Sequence, residues 1–175
     1  MDFYRNENEN KQSVIFTDDQ SAAIDELISF IAATWSDKDF IRGLCGPGGT
    51  GKTFVTKYII ENCKYSHSVI KCTAPTHKAC RVLNNAIGNI RNVETIQSTF
   101  GLRLDLKLED FDPERPQFNP IAGPKLDNIK LLIVDEASML PAKLVKYIIS
   151  TCKKLNIKII FQGDSFQLPP VGEKQ

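Results

Sequence analysis

The sequence lacks the cysteine patterns that mark disulfide-bonded and zinc-binding proteins. Its five cysteines are an odd number, are dispersed along the chain and never form a C-x-x-C pair. Small secreted domains usually carry even sets of cysteines, and structural zinc sites usually carry close pairs. We therefore expect reduced thiols in the core of a cytoplasmic protein, or of one in the host-cell cytoplasm if the source is viral: Cys45, Cys63, Cys72, Cys80 and Cys152.

Long apolar runs and an excess of one charge are also missing. No stretch approaches the roughly 18 consecutive apolar residues of a membrane span, and the first 13 residues contain no apolar signal-peptide core. The 22 basic and 21 acidic residues leave a net charge of +1, so any contact with nucleic acid must be local. A chain of 175 residues that is 42% hydrophobic predicts one soluble globular domain. We expect residues 1–13 to form a disordered tail and residues 14–175 to form that domain.

The most informative stretch is a glycine-rich loop that follows an apolar run at residues 41–45. It matches G-x-x-x-x-G-K-T without a mismatch and reads Gly46-Pro47-Gly48-Gly49-Thr50-Gly51-Lys52-Thr53. Backbone N–H groups of such a loop point at an anion, and the helix that follows adds the positive end of its dipole. Lys52 is long enough to reach the β- and γ-phosphates of a nucleotide, and Thr53 carries a hydroxyl that can ligate Mg²⁺. The loop therefore predicts a site for ATP and Mg²⁺.

Apolar runs that read as strands alternate with segments of helical periodicity. The runs at residues 41–45, 68–74, 130–134 and 157–161 are each followed by turn residues. This alternation predicts an α/β fold in which helices cover both faces of a parallel sheet. Residues 103–127 alternate early and then become rich in proline, which predicts a small hairpin insertion outside the core. The carboxyl ends of parallel strands share one rim, so we expect the polar residues that follow them to form one site.

Two carboxylates follow the apolar run at residues 130–134. Asp135 stands where a carboxylate can hold Mg²⁺ opposite Thr53, and Glu136 is placed to orient or deprotonate a water in line with the γ-phosphate. Alone, an Asp-Glu pair is more typical of a solvated helix start, but the phosphate loop in the same sheet favours the catalytic interpretation. A small-molecule kinase would need an acceptor pocket and a lid, and neither is evident. The pair therefore predicts hydrolysis of ATP to ADP and phosphate.

Five segments in order resemble the motifs of superfamily 1B DNA helicases of the Dda and RecD type. They are the phosphate loop, Ala74-Pro75-Thr76-His77-Lys78-Ala79, Thr95-Ile96-Gln97-Ser98, Asp135-Glu136-Ala137-Ser138-Met139 and Gly163-Asp164-Ser165-Phe166-Gln167-Leu168-Pro169-Pro170-Val171. The resemblance covers residues 17–172. It implies a P-loop NTPase of the RecA-like kind that hydrolyses ATP while moving 5′ to 3′ on single-stranded DNA.

The resemblance implies roles for further residues. Gln20 would read the edge of adenine, although a capping box with Thr17 explains this glutamine equally well and the two roles are compatible. Gln167 would sense the γ-phosphate and relay its presence toward the DNA. The DNA backbone would be contacted by Thr76, His77, Lys78, Thr95 and Ser98. For the first three of these, an ordinary solvated helix cap is the alternative.

The sequence also departs from the family pattern. Gln97 stands where the family commonly has histidine, so the role of this side chain stays open. Residues 103–127 occupy the place of the pin that splits the duplex, and Phe111 or Phe118 would either stack on a base or pack in the core. The resemblance implies a second RecA-like domain beyond Gln175 and two arginines that reach ATP. Because an arginine finger is worth ~10³- to 10⁵-fold in turnover, we expect the 175 residues alone to hydrolyse ATP weakly and to unwind nothing.

Two other functions are compatible with these patterns. The chain could be a module that holds ATP and single-stranded DNA without hydrolysis, or another P-loop ATPase such as a clamp loader or a partition protein. The run Gln167-Leu168-Pro169-Pro170 argues against the second of these. The function that we expect is the ATP-binding and ATP-hydrolysing amino-terminal motor domain of a DNA helicase.

Overall fold

The computed structural model describes residues 15–89, 93–104 and 118–164, and in this part of the chain a parallel sheet forms the centre of the fold. Its strands are β1 (Ile41–Cys45), β2 (Ile70–Ala74), β3 (Glu94–Thr95), β6 (Leu131–Val134) and β7 (Lys158–Gly163), while β4 (Leu102–Leu104) and β5 (Phe118–Pro120) form a separate pair. The spatial order is β1-β7-β6-β2-β3, and every pairing in the sheet is parallel. The predicted α/β class and parallel sheet are confirmed.

Helices cover both faces of this sheet. The helices are α1 (Asp18–Ala32), α2 (Lys52–Asn62), α3 (His77–Ala86), α4 (Ile96–Phe100) and α5 (Ala142–Lys154). The first three share one hydrophobic core with Leu131 and Ile133 of β6, and the last two share another core with Leu132 and Val134. This division follows from the strand itself, since successive side chains point to opposite faces. No helix among the described residues is long and apolar enough to cross a membrane.

The boundaries of the helices follow signals in the sequence. Thr17 and Gln20 form the predicted capping box of α1. The hydroxyl of Thr76 accepts a hydrogen bond from the N–H of Ala79 at 3.1 Å at the start of α3, and Gly88 has a φ of 79° just beyond its end. Each such cap satisfies an N–H or carbonyl group that a helix end leaves free, and an N-cap side chain contributes about 1 kcal/mol. The predicted capping box of α1 and the helix cap at Thr76 are confirmed, and so is the stop that a glycine at position 88 predicts for α3.

Three predictions about burial are wrong. The apolar residues Ala79, Val82 and Leu83 recur at helical spacing, which predicts that all three face the core. Val82 is nevertheless 62% exposed, because it lies beside the buried stripe of α3 and not within it. Cys45 is exposed and Cys63 is half-buried, so the five cysteines are not all core thiols. Leu126 lies in the predicted insertion but is 4% exposed and packs in the second core.

The start and end of the insertion meet at a glycine. β4 and β5 pair antiparallel, in agreement with the predicted hairpin. Gly101 has a φ of 61°, and a Cβ atom on it would lie 2.5 Å from the carbonyl oxygen of Ala122. The N–H of Lys125 then donates to the carbonyl of Thr99 at 2.8 Å, which returns the chain to the core. Phe111 and the side chain of Phe118 lie outside the described residues, as does the predicted tail at residues 1–13.

Candidate active site

The carboxyl ends of the central strands bring the predicted site residues to one rim of the sheet. β1 leads into the phosphate loop, β6 into Asp135, β7 into Asp164 and β2 into Thr76. Because these strands are adjacent and parallel, segments distant in sequence become neighbours in space. Gln167 lies outside the described residues, so its predicted role stays a prediction.

The phosphate loop spans Gly46 to Gly51, and α2 begins at Lys52. Gly49 and Gly51 both have a φ of 81°, a conformation that side chains disfavour. A Cβ atom on Gly51 would also lie 2.7 Å from Nε2 of Gln20. The ammonium group of Lys52 donates to the carbonyl of Pro47 at 2.8 Å and to that of Gly46. The loop therefore holds its lysine against its own backbone, and Thr53 follows in the first turn of α2.

Gln20 connects the start of α1 with this loop. Its side-chain oxygen accepts a hydrogen bond from the N–H of Thr17 at 3.1 Å, and its side-chain nitrogen donates to the carbonyl of Thr50 at 3.0 Å. Sequence analysis predicted the first contact and missed the second. The proposed reading of adenine by Gln20 is compatible with both.

A pocket with a volume of about 370 Å³ opens between α1 and the phosphate loop. This volume is within the range of small-molecule sites, roughly 300–1,000 Å³. The predicted nucleotide-binding residues in its lining are Gln20, Gly46, Pro47, Thr50 and Lys52. Part of the predicted nucleotide-binding set therefore lines a cavity of suitable size.

Asp135 and Glu136 mark the point where the chain leaves the sheet. The N–H of Asp135 still donates to the carbonyl of Thr73 at 2.8 Å, in the manner of a strand residue. Glu136 adopts a left-handed conformation with a φ of 49°, and its N–H donates to the Asp135 carboxylate at 2.9 Å. A non-glycine residue in this region is uncommon and is characteristic of tight turns and functional sites. The turn makes Glu136 exposed while Asp135 is half-buried.

The short helical turn that follows, Ala137–Met139, packs closely on β7. A Cβ atom on Gly163 would lie 3.2 Å from the backbone nitrogen of Ser138. Glycine at this position therefore lets the segment after Glu136 approach the end of β7. This contact joins the motif at residues 135–139 to the start of the motif that begins at Gly163.

The surroundings of Asp135 raise the pKa of its carboxyl group. Burial is the largest cause, and the charge of Glu136 acts in the same direction. The backbone N–H of Glu136, the charge of Lys52 and a hydrogen bond from the side chain of Gln162 oppose this rise. A bound cation would favour the ionised form of this carboxylate.

The donors at the rim fit Mg²⁺ bound together with a nucleotide. Among the described residues, no group of three or more His, Cys, Asp or Glu side chains is arranged to hold a metal by itself. Thr53 and Asp135 instead offer one hydroxyl and one carboxylate. Mg²⁺ is typically held by one or two carboxylates together with substrate phosphates and waters, so this sparse set of oxygen donors suits it.

Gln162 is a residue of this rim that sequence analysis did not single out. The prediction ended its strand at residue 161, whereas β7 continues to Gly163 and leaves Gln162 only 1% exposed. Its side-chain oxygen accepts a hydrogen bond from the buried hydroxyl of Thr56 in α2. The sequence did contain a signal for this residue, because a glutamine stands there between an apolar strand and a Gly-Asp pair.

The predicted DNA contacts lie on two neighbouring segments. Thr76, His77 and Lys78 are exposed at the start of α3, and Thr95 is paired with Ala74 across β2 and β3. Thr95 is 8% exposed, and its hydroxyl accepts a hydrogen bond from the N–H of Ser98 at 3.2 Å. The hydroxyls of Thr76 and Thr95 both serve as helix caps, and the contacts of these residues with DNA stay predictions.

Ser98 belongs to a charged cluster. Its hydroxyl donates to Glu94 at 3.0 Å and accepts a hydrogen bond from Lys125 at 3.1 Å. Lys71 forms an ion pair with the same glutamate at 3.0 Å. The cluster joins the end of the hairpin insertion, at Lys125, to β2 and to the segment that carries Thr95 and Ser98.

A protein-family model described as an AAA domain matches residues 16–175. The chain belongs to this family. The ATP-dependent DNA helicase dda of Enterobacteria phage T4 is 37% identical over 128 residues, which cover 72% of this chain and 27% of the helicase. The ATP-dependent RecD2 DNA helicase of Deinococcus radiodurans is 30% identical over 128 residues, which cover 73% of this chain and 16% of that helicase. These matches confirm the resemblance to superfamily 1B helicases.

A further relative is the uncharacterized protein MJ1519 of Methanocaldococcus jannaschii, which is 34% identical over 138 residues. The match covers 77% of this chain and 12% of that protein. The chain thus spans less than a third of the length of each of these three relatives.

Proposed function

We propose that this AAA domain binds ATP with Mg²⁺ and hydrolyses it as the amino-terminal motor domain of a 5′-to-3′ DNA helicase. The observation that carries the proposal is the pocket of nucleotide size that Gln20, the phosphate loop and Lys52 line, with Asp135 near enough for the charge of Lys52 to act on its carboxyl group. The relatives named as ATP-dependent DNA helicases support the same activity for this chain.

Each rim residue has a distinct part in nucleotide binding. The loop N–H groups and Lys52 neutralise the phosphates, and Gln20 contacts adenine while holding the loop through Thr50. Thr53 and Asp135 would hold Mg²⁺, which would offset the negative charge of the phosphates. Lys52 leaves the carbonyls of Gly46 and Pro47 when a phosphate oxygen becomes its partner.

Glu136 provides the base for hydrolysis. It is exposed and joined to Asp135 through its own N–H, so its carboxylate is free to orient a water molecule. The water oxygen attacks the γ-phosphorus, the bond from that phosphorus to the bridging oxygen breaks, and Glu136 accepts the proton of the water. ADP and phosphate leave, and Gln167 reports the loss of the γ-phosphate to the DNA-binding segments.

Single-stranded DNA occupies the rim beyond β2 and β3. Thr76, His77 and Lys78 contact its backbone at the start of α3, and Thr95 and Ser98 extend this track. The matches cover only 27% and 16% of the two helicase relatives. We therefore propose that a second RecA-like domain completes the motor and that the 175 residues alone have weak activity.

Phosphate release with and without single-stranded DNA tests the enzymatic part of the proposal. We expect the 175-residue chain to release phosphate slowly and the Glu136→Gln variant to release none. Tailed duplexes test polarity in a protein that includes the proposed second domain, and we expect unwinding from a 5′ tail. Release unaffected by Glu136→Gln would contradict hydrolysis at this site, and unwinding only from a 3′ tail would contradict the polarity.

A further inference from the structure

The side chain of Gln162 is enclosed between the sheet and α2. Gln162 is 1% exposed and lies two residues after Ile160 in β7. Ile160 packs in the core shared with α1, α2 and α3, and residues two apart in a strand face the same side. Gln162 therefore faces the helix that follows the phosphate loop.

The strand register places this glutamine beside Asp135. Val134 of β6 is paired with Phe161 of β7, so Asp135 stands next to Gln162 across the same edge. On its other side, the neighbour of Asp135 is the end of β2, where Val134 is paired with Thr73 and Ala74 follows. Ala74 has no polar side chain, so among these strand neighbours only Gln162 offers Asp135 a side-chain hydrogen bond.

Gln162 contacts α2 and β6 at the same time. The hydroxyl of Thr56, which is 2% exposed, donates to the side-chain oxygen of Gln162. This contact fixes which end of the amide faces α2 and leaves the two N–H groups for other acceptors. The register of β6 and β7 places this amide on the same side of the sheet as the carboxyl group of Asp135, where it opposes the rise in the pKa of that group. Thr56 lies about one helical turn after Thr53, the hydroxyl proposed to hold the metal.

We propose that Gln162 is a positioning residue that, held by Thr56, orients the carboxylate of Asp135 for Mg²⁺ bound with the nucleotide. The inference rests on the proposed nucleotide site. Groups behind a metal ligand set its orientation, and their loss typically costs 10- to 100-fold in metal affinity. A glutamine that only filled the interior would affect folding stability and leave the metal dependence of binding intact.

The test measures binding of a fluorescent ADP at a series of Mg²⁺ concentrations and in EDTA. For Gln162→Leu we expect unchanged affinity in EDTA and a Mg²⁺ half-saturation concentration raised ~10- to 100-fold. Thr56→Val removes only the hydrogen bond that holds Gln162, so we expect a smaller rise in the same direction. Thr151→Val in α5 is the matched control and should leave both quantities unchanged.

Asp135→Ala is the reference variant, in which we expect the Mg²⁺-dependent gain in nucleotide affinity to be lost completely. If Gln162→Leu keeps the whole gain while Asp135→Ala loses it, the positioning role is wrong and the nucleotide site stands. If the unaltered protein binds no nucleotide, the proposed function itself is wrong. Should thermal melting show that Gln162→Leu is unfolded, Thr56→Val decides, and an unchanged Mg²⁺ response in that variant overturns the inference.

Discussion

The side-chain nitrogen of Gln20 lies 3.0 Å from the carbonyl oxygen of Thr50, and this hydrogen bond fastens the start of α1 to the phosphate loop. The oxygen of the same side chain completes the capping box with the N–H of Thr17. One glutamine thus stabilises a helix start and shapes the wall of the candidate nucleotide pocket.

These two contacts of Gln20 can be separated by substitution. Gln20→Glu keeps an oxygen for the N–H of Thr17 but loses the donor to Thr50. We expect a nearly unchanged melting temperature and weaker nucleotide binding. Gln20→Ala loses both contacts and should also lower the free energy of unfolding by roughly 1 kcal/mol. Thermal melts and nucleotide titrations check this, and unaltered nucleotide affinity in Gln20→Glu would show that the contact with the loop is unimportant.

Glu136→Gln should separate hydrolysis from binding. The amide is nearly the same size as the carboxylate but cannot accept the proton of the attacking water. We expect unchanged affinity for Mg²⁺-nucleotide and a fall in phosphate release to background. Glu61→Gln, an exposed position in α2, is the matched control. Parallel loss of binding and turnover would instead make Glu136 a metal or structural residue.

Glu94 should make stability depend on acid pH. Burial pushes the pKa of Glu94 upward, but hydrogen bonds from Lys71 and Ser98 and the charges of Lys71 and Lys125 hold it below its usual value of 4.5. Its stabilising contribution is therefore fully present above pH 4.5 and is lost as the pH falls through the lower folded pKa. We expect Glu94→Gln to cost up to about 1 kcal/mol at pH 7, with the difference shrinking below pH 4.5. Denaturant unfolding at several pH values measures it; a difference that is constant with pH would contradict this account.

Lys158 should affect stability without affecting the rim. Its side chain is 1% exposed and donates to the last carbonyls of α1, those of Phe30, Ile31 and Ala33. Lys158→Met leaves these carbonyls without their donor, so we expect a loss of about 2–3 kcal/mol in unfolding free energy and unchanged nucleotide affinity. Lys153→Met, at an exposed position of α5, is the control. A stable variant that binds nucleotide poorly would be the opposite of this expectation.

The parts of the molecule that the sequence predicted are those encoded by neighbouring residues. The phosphate loop is a continuous pattern of eight residues, and the capping box of Thr17 and Gln20 spans one helical turn. Strand alternation and the apolar runs were likewise sufficient to predict the parallel sheet. Local patterns of this kind carry their own geometry, so no knowledge of distant contacts was needed.

The contacts that escaped prediction join residues far apart in sequence. Thr56 and Gln162 are separated by 106 residues, and Gln20 and Thr50 by 30. The left-handed turn at Glu136 depends on how the following segment packs against Gly163, which no local pattern specifies. Leu126 was assigned to the insertion because prolines precede it, yet the return of the chain beside Thr99 brings it into the core.

The most direct test of the central claim is a calorimetric titration of the unaltered protein, Lys52→Ala and Lys57→Ala with ADP and Mg²⁺. Lys52 contacts the phosphate loop, whereas Lys57 lies in the same helix and pairs with Glu61 at 4.0 Å. We predict that the unaltered protein and Lys57→Ala bind nucleotide and that Lys52→Ala does not. Binding by Lys52→Ala as tight as that of the unaltered protein would contradict a nucleotide site at this loop.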